Sequence, residues 1–176
     1  MTKAPGITSL LGLSLFAIGQ NVPPPEVPAN LKAAEGEEVI LLARASGSQI
    51  YVCQIGSDQK FSWVLKAPDA ELRDSQGALI GHHFAGPTWK HNDGSEVTGA
   101  MSAKQNAPDA NSIPWLLVHA TGHSGNGIFS RVTTIQRIHT KGGQPPNVAD
   151  CNESARGKEV KSPYTADYYF YAPIRR

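Results

Sequence analysis

Six histidines are the residues of this chain with the most chemistry to offer. His82 and His83 are neighbours, so on a strand their imidazoles point to opposite faces and only one can join a given site. His119 shares a strand face with Trp115 and Leu117, and His123 follows in a glycine-rich turn. If the strands Leu79–Phe84 and Trp115–Ala120 lie side by side, His82 or His83 meets His119 and His123. Three converging imidazoles suit copper or zinc. These four residues are therefore the candidate metal ligands, and a copper- or zinc-dependent extracytoplasmic enzyme is one reading. Against it, the chain has no His-x-His and no helical His-Glu-x-x-His, the spacings that bring two imidazoles to one ion locally. Without convergence the histidines are surface or hydrogen-bonded residues, and no cofactor is expected.

Aromatic side chains offer a second chemistry, since their faces pack against sugar rings and apolar ligands. Trp89 and Trp115, with His119 and His123, form the candidate ligand-binding set, near the Gly81–Ser95 segment and the Trp115–Gly125 hairpin. The closing strand, Tyr164 to Tyr171, has aromatics on both faces: Tyr164, Tyr168 and Phe170 on one, Tyr169 and Tyr171 on the other. One face is expected to be core, and the other either packs or forms an exposed binding strip. Hydrolytic motifs are weaker. Gly122-His123-Ser124-Gly125 is not Gly-x-Ser-x-Gly, and no strand-to-helix elbow surrounds it. Most carboxylates fall in polar loops. Asp167 differs: it lies within the aromatic strand and is expected to accept hydrogen bonds from a nearby loop or from Arg137.

The elements that must position these residues are short strands. Phe61, Trp63 and Leu65 alternate with polar residues, a period of two. Val39–Ala45 and Gln49–Ile55 read as two strands separated by Ser46-Gly47-Ser48. Ala67–Gly77 reads as irregular, with room for one helical turn. Asn92-Asp93-Gly94-Ser95 is a turn signal. Ile128–His139 reads as one long strand, hairpinned with Trp115–Ala120, and Gly142–Pro163 as a long loop. No amphipathic helix and no internal repeat occur. The fold class is all-β: an antiparallel sandwich or barrel of about eight strands with long loops.

At the N-terminus, Lys3 precedes an apolar run, Ile7 to Ile18, and Ala17-Ile18-Gly19 offers small residues for cleavage before Gln20. That is a secretory signal pattern, too short to span a bilayer. It divides the chain into a signal peptide, 1–19; an extended Pro-rich tether, 20–36, with Pro23-Pro24-Pro25 and Pro28; and one β domain, 37–176. The expected location is secreted or periplasmic. The chain has 16 Lys and Arg against 15 Asp and Glu, and one of those cations is Lys3 in the leader. The balanced remainder lacks the basic face that nucleic-acid binding requires, and no second apolar run reaches membrane-spanning length. Cys53 and Cys151 are the two cysteines, 98 positions apart. In an oxidising compartment they are expected to pair, fastening the long loop to the strand that holds Cys53.

Five ordered blocks carry a resemblance. They are Ala45–Cys53; Gly86-Pro87-Thr88-Trp89 with Asp93-Gly94-Ser95 and Val97; Ile113–Leu117; Ile135–Gly143 with Pro146 and Cys151; and Tyr164–Tyr171. In this order, over about Val27 to Pro173, the chain resembles the secreted bacterial and fungal proteins grouped as domain-of-unknown-function family 3455. Where those blocks often place Asn, this chain has His139. The resemblance implies a secreted all-β domain and no established activity. Some fungal members carry a malate dehydrogenase label. A nicotinamide-binding fold needs Gly-x-Gly-x-x-Gly between a strand and a helix, whereas Gly122, Gly125 and Gly127 sit between strands in another order, so that activity is not expected. The leading expectation is a non-enzymatic module that binds a small molecule, a glycan or a surface component; carbohydrate binding and the metal enzyme are the alternatives. Asn152-Glu153-Ser154 is a glycosylation sequon, meaningful in a eukaryotic host.

Overall fold

The structure, a computed structural model, describes residues 22–175. The predicted leader lies outside the described residues. Eight strands follow one another: Glu37–Ile55 (β1), Phe61–Arg73 (β2), Leu79–Phe84 (β3), Thr88–His91 (β4), Glu96–Gln105 (β5), Trp115–Ser124 (β6), Thr134–Gly142 (β7) and Glu159–Pro173 (β8). Each pairs antiparallel with the next, and β8 returns to pair with β1, closing the sheet into a barrel. Closure removes the unpaired N–H and C=O groups that an open sheet leaves at its edges.

β1 is the element on which closure turns. It runs 19 residues without a break and pairs with β2 along one side and β8 along the other. Ser46-Gly47-Ser48 is therefore not a turn. It is the place where β1 presses closest to its neighbour: a Cβ on Gly47 would lie 2.1 Å from the Asp69 carbonyl oxygen and 2.4 Å from Ala70 Cα. Only glycine leaves that approach open. The segment expected to be irregular, Ala67 onward, is its partner, with Pro68 opposite Gln49 and Ala70 opposite Gly47. The ladder holds it extended, overriding its weak strand propensity.

Alternation sorts the two surfaces of the wall. Most inward positions are apolar, with Ala43 and Ala45 of β1 small enough to admit Trp89, Phe129, Tyr168 and Phe170 to one core. Outward positions of the same strands carry Arg44, Lys66, Asp69 and Glu71, three of which form exposed ion pairs. This is the reverse of a lipid-facing barrel, whose apolar band points outward. No helix among the described residues is long and apolar enough to cross a membrane.

The second aromatic face of β8 is not an exposed strip. Tyr169 and Tyr171 are buried with Val39 and Ile138 in a separate outer core, against which Val22, Val27 and Ala33 pack. The Pro-rich segment is thus a strap laid along the barrel, with a short 3-10 turn at Ala29–Leu31. Gln136 ties it down: its Nε2 donates to the Leu31 carbonyl at 2.6 Å, while its Oε1 accepts from the Tyr171 hydroxyl at 2.7 Å.

One end of the barrel is plugged. β7 begins at Thr134, because Ile128–Arg131 folds into a 3-10 turn that drives Phe129 into the core, 4.5 Å from the Phe170 ring. An aromatic in the barrel mouth buries more apolar surface than the same residue extended along a hairpin, and burial is what this turn gains. Asp93 holds the plug, accepting from the Ile128 N–H at 2.8 Å and from the Ser95 N–H and hydroxyl at 2.9 and 2.6 Å. Burial works to raise its carboxyl, but these hydrogen bonds outweigh it and hold Asp93 well below the usual carboxylate range.

At the other end, the loop after β7 carries Cys151, disulfide-bonded to Cys53 of β1 with the Cα atoms 5.3 Å apart. The bond closes a segment of 98 residues, worth roughly 4–5 kcal/mol in unfolded-state entropy. The double variant Cys53→Ser/Cys151→Ser is expected to lose most of that stability in urea titrations. Equal unfolding midpoints with and without reductant would show that the bond contributes nothing.

His139 occupies a bulge in β7, where Ile138 and Lys141 are three residues apart but face partners only two apart. Its φ of 50° is left-handed, a conformation in which Asn is enriched. Its exposed contact with Asp167, 2.9 Å from Nδ1, is worth little in solvent. His139→Asn should raise the thermal midpoint slightly, because the short Asn side chain takes the left-handed region more readily; a lower midpoint would mean that the contact outweighs the backbone preference.

Candidate functional site

A cavity of about 140 Å³ opens at the unplugged end, lined by at least one residue from every strand of the barrel. Four groups give it character: the stacked pair His83 and Trp89, the amide of Gln49, the guanidinium of Arg137 and the ring of Tyr168. Apolar side chains frame the entrance. Leu65 and Met101 are 49% and 56% exposed, an unusual concentration of exposed apolar surface for one spot on a charged wall.

Each polar group arrives by alternation. β7 reads Ile135, Arg137 on its inward face and Gln136, Ile138 on its outward face. Arg137 thus points into the barrel opposite Tyr168 of β8. Its Nε and Nη2 donate to the Pro114 carbonyl at 3.3 and 2.9 Å. No ion pair among the described residues includes it. Asp167, the expected partner, points outward and meets His139 instead. Gln49 continues the inward row of β1 and is 2% exposed, yet neither its Oε1 nor its Nε2 has a hydrogen-bond partner. The indole N–H of Trp89 is likewise buried and unpartnered. Leaving a buried polar group unpaired costs about 1–3 kcal/mol, and two such residues beside one cavity are the strongest signal in the molecule.

His83 is 3% exposed and lies flat on Trp89, ring centroids 4.4 Å apart and planes within 5°. Its Nδ1 is 2.9 Å from the Thr88 carbonyl. A carbonyl only accepts, so Nδ1 carries the proton of the neutral ring and Nε2 keeps its lone pair. Burial lowers the imidazole to about 4, helped by the positive charge of Arg137 and opposed by the Thr88 hydrogen bond. Burial also raises the Tyr168 phenol, against the pull of Arg137. Near neutral pH the cavity therefore holds one formal charge, the cation of Arg137.

The four histidines proposed as metal ligands do not meet. β4 and β5 lie between β3 and β6, so the adjacency that would have joined them is not formed. His83 points inward, whereas His82 and His119 are exposed on the outer wall. His123 is engaged with the Val132 carbonyl at 2.7 Å. No group of three or more His, Cys, Asp or Glu among the described residues is placed to hold a metal ion. Of the aromatic set, Trp89 lines the cavity, but Trp115 packs on the outer core beside the His139 ring. Trp63 also faces outward, its Nε1 donating to the Asn147 carbonyl at 3.0 Å.

Tyr168 was among the aromatics expected to line a cleft or fill the core; Gln49 and Arg137 were not expected at a site, although the signal was there. Each is a polar or hydroxyl-bearing residue at an inward position of an alternating strand. A broader groove of about 610 Å³ lies under the Pro-rich strap, lined by Glu37, Gln136 and Tyr171. Its buried and half-buried polar groups are committed: Gln136 and Tyr171 to each other and to the strap, and Glu37 to Thr133 and Thr134. The smaller cavity is the better candidate because two of its buried polar side chains, Gln49 and Trp89, have no partner.

The state of His83 makes a pH prediction. Unfolded, it protonates near 6.5; folded, near 4. Its contribution to stability is complete above pH 6.5 and is lost as pH falls towards 4, roughly 3 kcal/mol in all. Urea midpoints measured from pH 7.5 to 4.5 should fall more steeply for the wild type than for His83→Phe, which keeps a flat ring on Trp89. Parallel curves would place the titrating group elsewhere.

Residues 33–172 match the family described as a protein of unknown function, DUF3455. No curated protein and no solved structure matches the chain. The matched span takes in nearly all of β1 to β8 and every residue of the cavity, and the chain belongs to the DUF3455 family.

Proposed function

We propose that this chain is an extracytoplasmic binding module whose barrel mouth takes one small molecule with a flat apolar body. The observation that carries this reading is the pair of buried, unpartnered polar side chains, Gln49 and Trp89, beside an open cavity. A fold optimised for stability alone would place apolar residues there, because a buried amide without partners is a standing cost. A ligand that pairs with them recovers that cost on binding. Size sets its scale: a dry protein cavity of about 150 Å³ holds benzene, and this one is about 140 Å³. The stacked His83 and Trp89 offer aromatic surface, and Leu65 and Met101 at the rim suit an apolar edge.

Action outside the cytosol is part of the proposal. The disulfide supports it, as does the secretory pattern of the leader. Oligosaccharide binding has less support, since the three tryptophans do not form one platform: Trp89 is inside, Trp63 and Trp115 outside. For the histidine-based metal enzyme, the separation of β3 from β6 removes the geometric argument.

Gln49→Met separates binding from folding. It keeps the side-chain volume and removes the unpaired amide, so urea unfolding should show a gain of about 1–3 kcal/mol. The same variant should bind small ring compounds (benzoate, benzamide, phenol, indole) at least tenfold more weakly than the wild type, read by tryptophan fluorescence and calorimetry. No saturable binding of any of them to the wild type would sink the reading.

A further inference from the structure

Taking the cavity as the binding site, we propose that its ligand is a small aromatic or short-chain carboxylate, with the anionic head received by Arg137. The argument is one of unbalanced charge. Arg137 projects into the barrel from an inward position and is half-buried, lining the cavity beside Tyr168. Among the described residues it has no carboxylate within ion-pair distance. The Pro114 carbonyl accepts from two of its nitrogens but supplies no neutralising charge. A guanidinium drawn out of water needs a counter-ion, and a carboxylate matches it in shape and charge.

The neighbouring groups point the same way. In the cavity lining the unpartnered donors are the Gln49 amide and the Trp89 indole N–H, and a carboxylate supplies about four lone-pair directions to receive them. His83 is neutral near pH 7, so the cavity presents a single positive charge. That suits a monoanion. A phosphate or sulfate ester, larger and carrying more lone pairs, would need further cations that the lining lacks. The apolar rim and the His83–Trp89 stack then take the remainder of the molecule, which excludes free inorganic anions as the preferred ligand.

Benzoate and benzamide decide the matter, being nearly equal in size and shape but differing in charge. Tryptophan fluorescence and calorimetry on the full mature protein at pH 7.5 should show benzoate binding at least tenfold more tightly than benzamide. Arg137→Met should erase the difference, leaving both at the benzamide level, with the far-UV circular dichroism spectrum unchanged; Arg137→Lys should restore part of it. Equal affinities in the wild type, or a preference that survives Arg137→Met, would overturn the carboxylate assignment while leaving the cavity a binding site for neutral rings. If neither compound binds, both inferences fall together. Should Arg137→Met not fold, the wild-type ratio and its decline at high salt still decide the assignment.

Discussion

Ring closure between β1 and β8 is the constraint from which the rest of this molecule follows. It joins the first strand to the last, so every strand between must accept a neighbour on each side. The 19 residues of β1 make this joint by pairing with Pro173 at one end and Glu159 at the other. So long a strand cannot stay flat in a closed barrel; its register shifts against β8 at Val39/Leu41 and against β2 at Ile50/Tyr51, and Gly47 admits the close approach of β2 between them. The disulfide reinforces the same joint. Cys53 lies near the end of β1, and Cys151 anchors the loop that leads into β8. Closure is thus covalent as well as hydrogen-bonded, with the staple at the far reach of the chain where closure costs the most entropy.

A closed barrel has two ends, and this one treats them differently. At one, Phe129 is pushed inward by a turn whose N–H groups are held by Asp93 and Ser95, and the core is sealed. At the other, no turn folds inward to seal the barrel, and the rings of His83, Trp89 and Tyr168 line a cavity instead of filling it. The space is instead ringed by Leu65 and Met101 and lined by polar groups that the protein leaves unpaired. The two ends differ in their buried polar groups: Asp93 and Ser95 at the plugged end are hydrogen-bonded, while Gln49 and Trp89 beside the cavity have no partner, as has the Trp115 indole N–H on the outer core. Departures of that kind concentrate where a ligand is to supply the missing partner.

Much of the fold was legible in the chain. Period-two alternation, turn residues and the lack of any amphipathic helix gave an all-β domain of about eight strands. The cysteine count in a chain with a secretory pattern gave the disulfide. Two readings failed for one reason. Ser46-Gly47-Ser48 looked like a break between two strands, and Ile128–Arg131 looked like strand, because local propensity was judged without the neighbouring wall. Gly47 is small to let β2 approach, and Phe129 leaves the ladder because the mouth of the barrel buries it better. Whether the outer aromatic face of β8 packs or stands exposed was left open, because the segment that covers it is a proline-rich stretch with no strand or helix pattern of its own.

The candidate site was less legible. By itself, the sequence determined which residues share a strand face, since that depends only on the pleat: Ile135 with Arg137, Tyr164 with Tyr168 and Phe170. It also determined family membership, through ordered blocks that hold both Gln49 and Arg137. What it left open was which face is inside and which strands are neighbours, because alternation is the same in a sandwich and a barrel. The tertiary structure decided both. It set β4 and β5 between the histidine-bearing strands and turned Gln49, His83, Trp89 and Arg137 towards a common axis. Convergence of residues far apart in the chain is a property of closure, and closure is fixed by long-range pairing that no local pattern records.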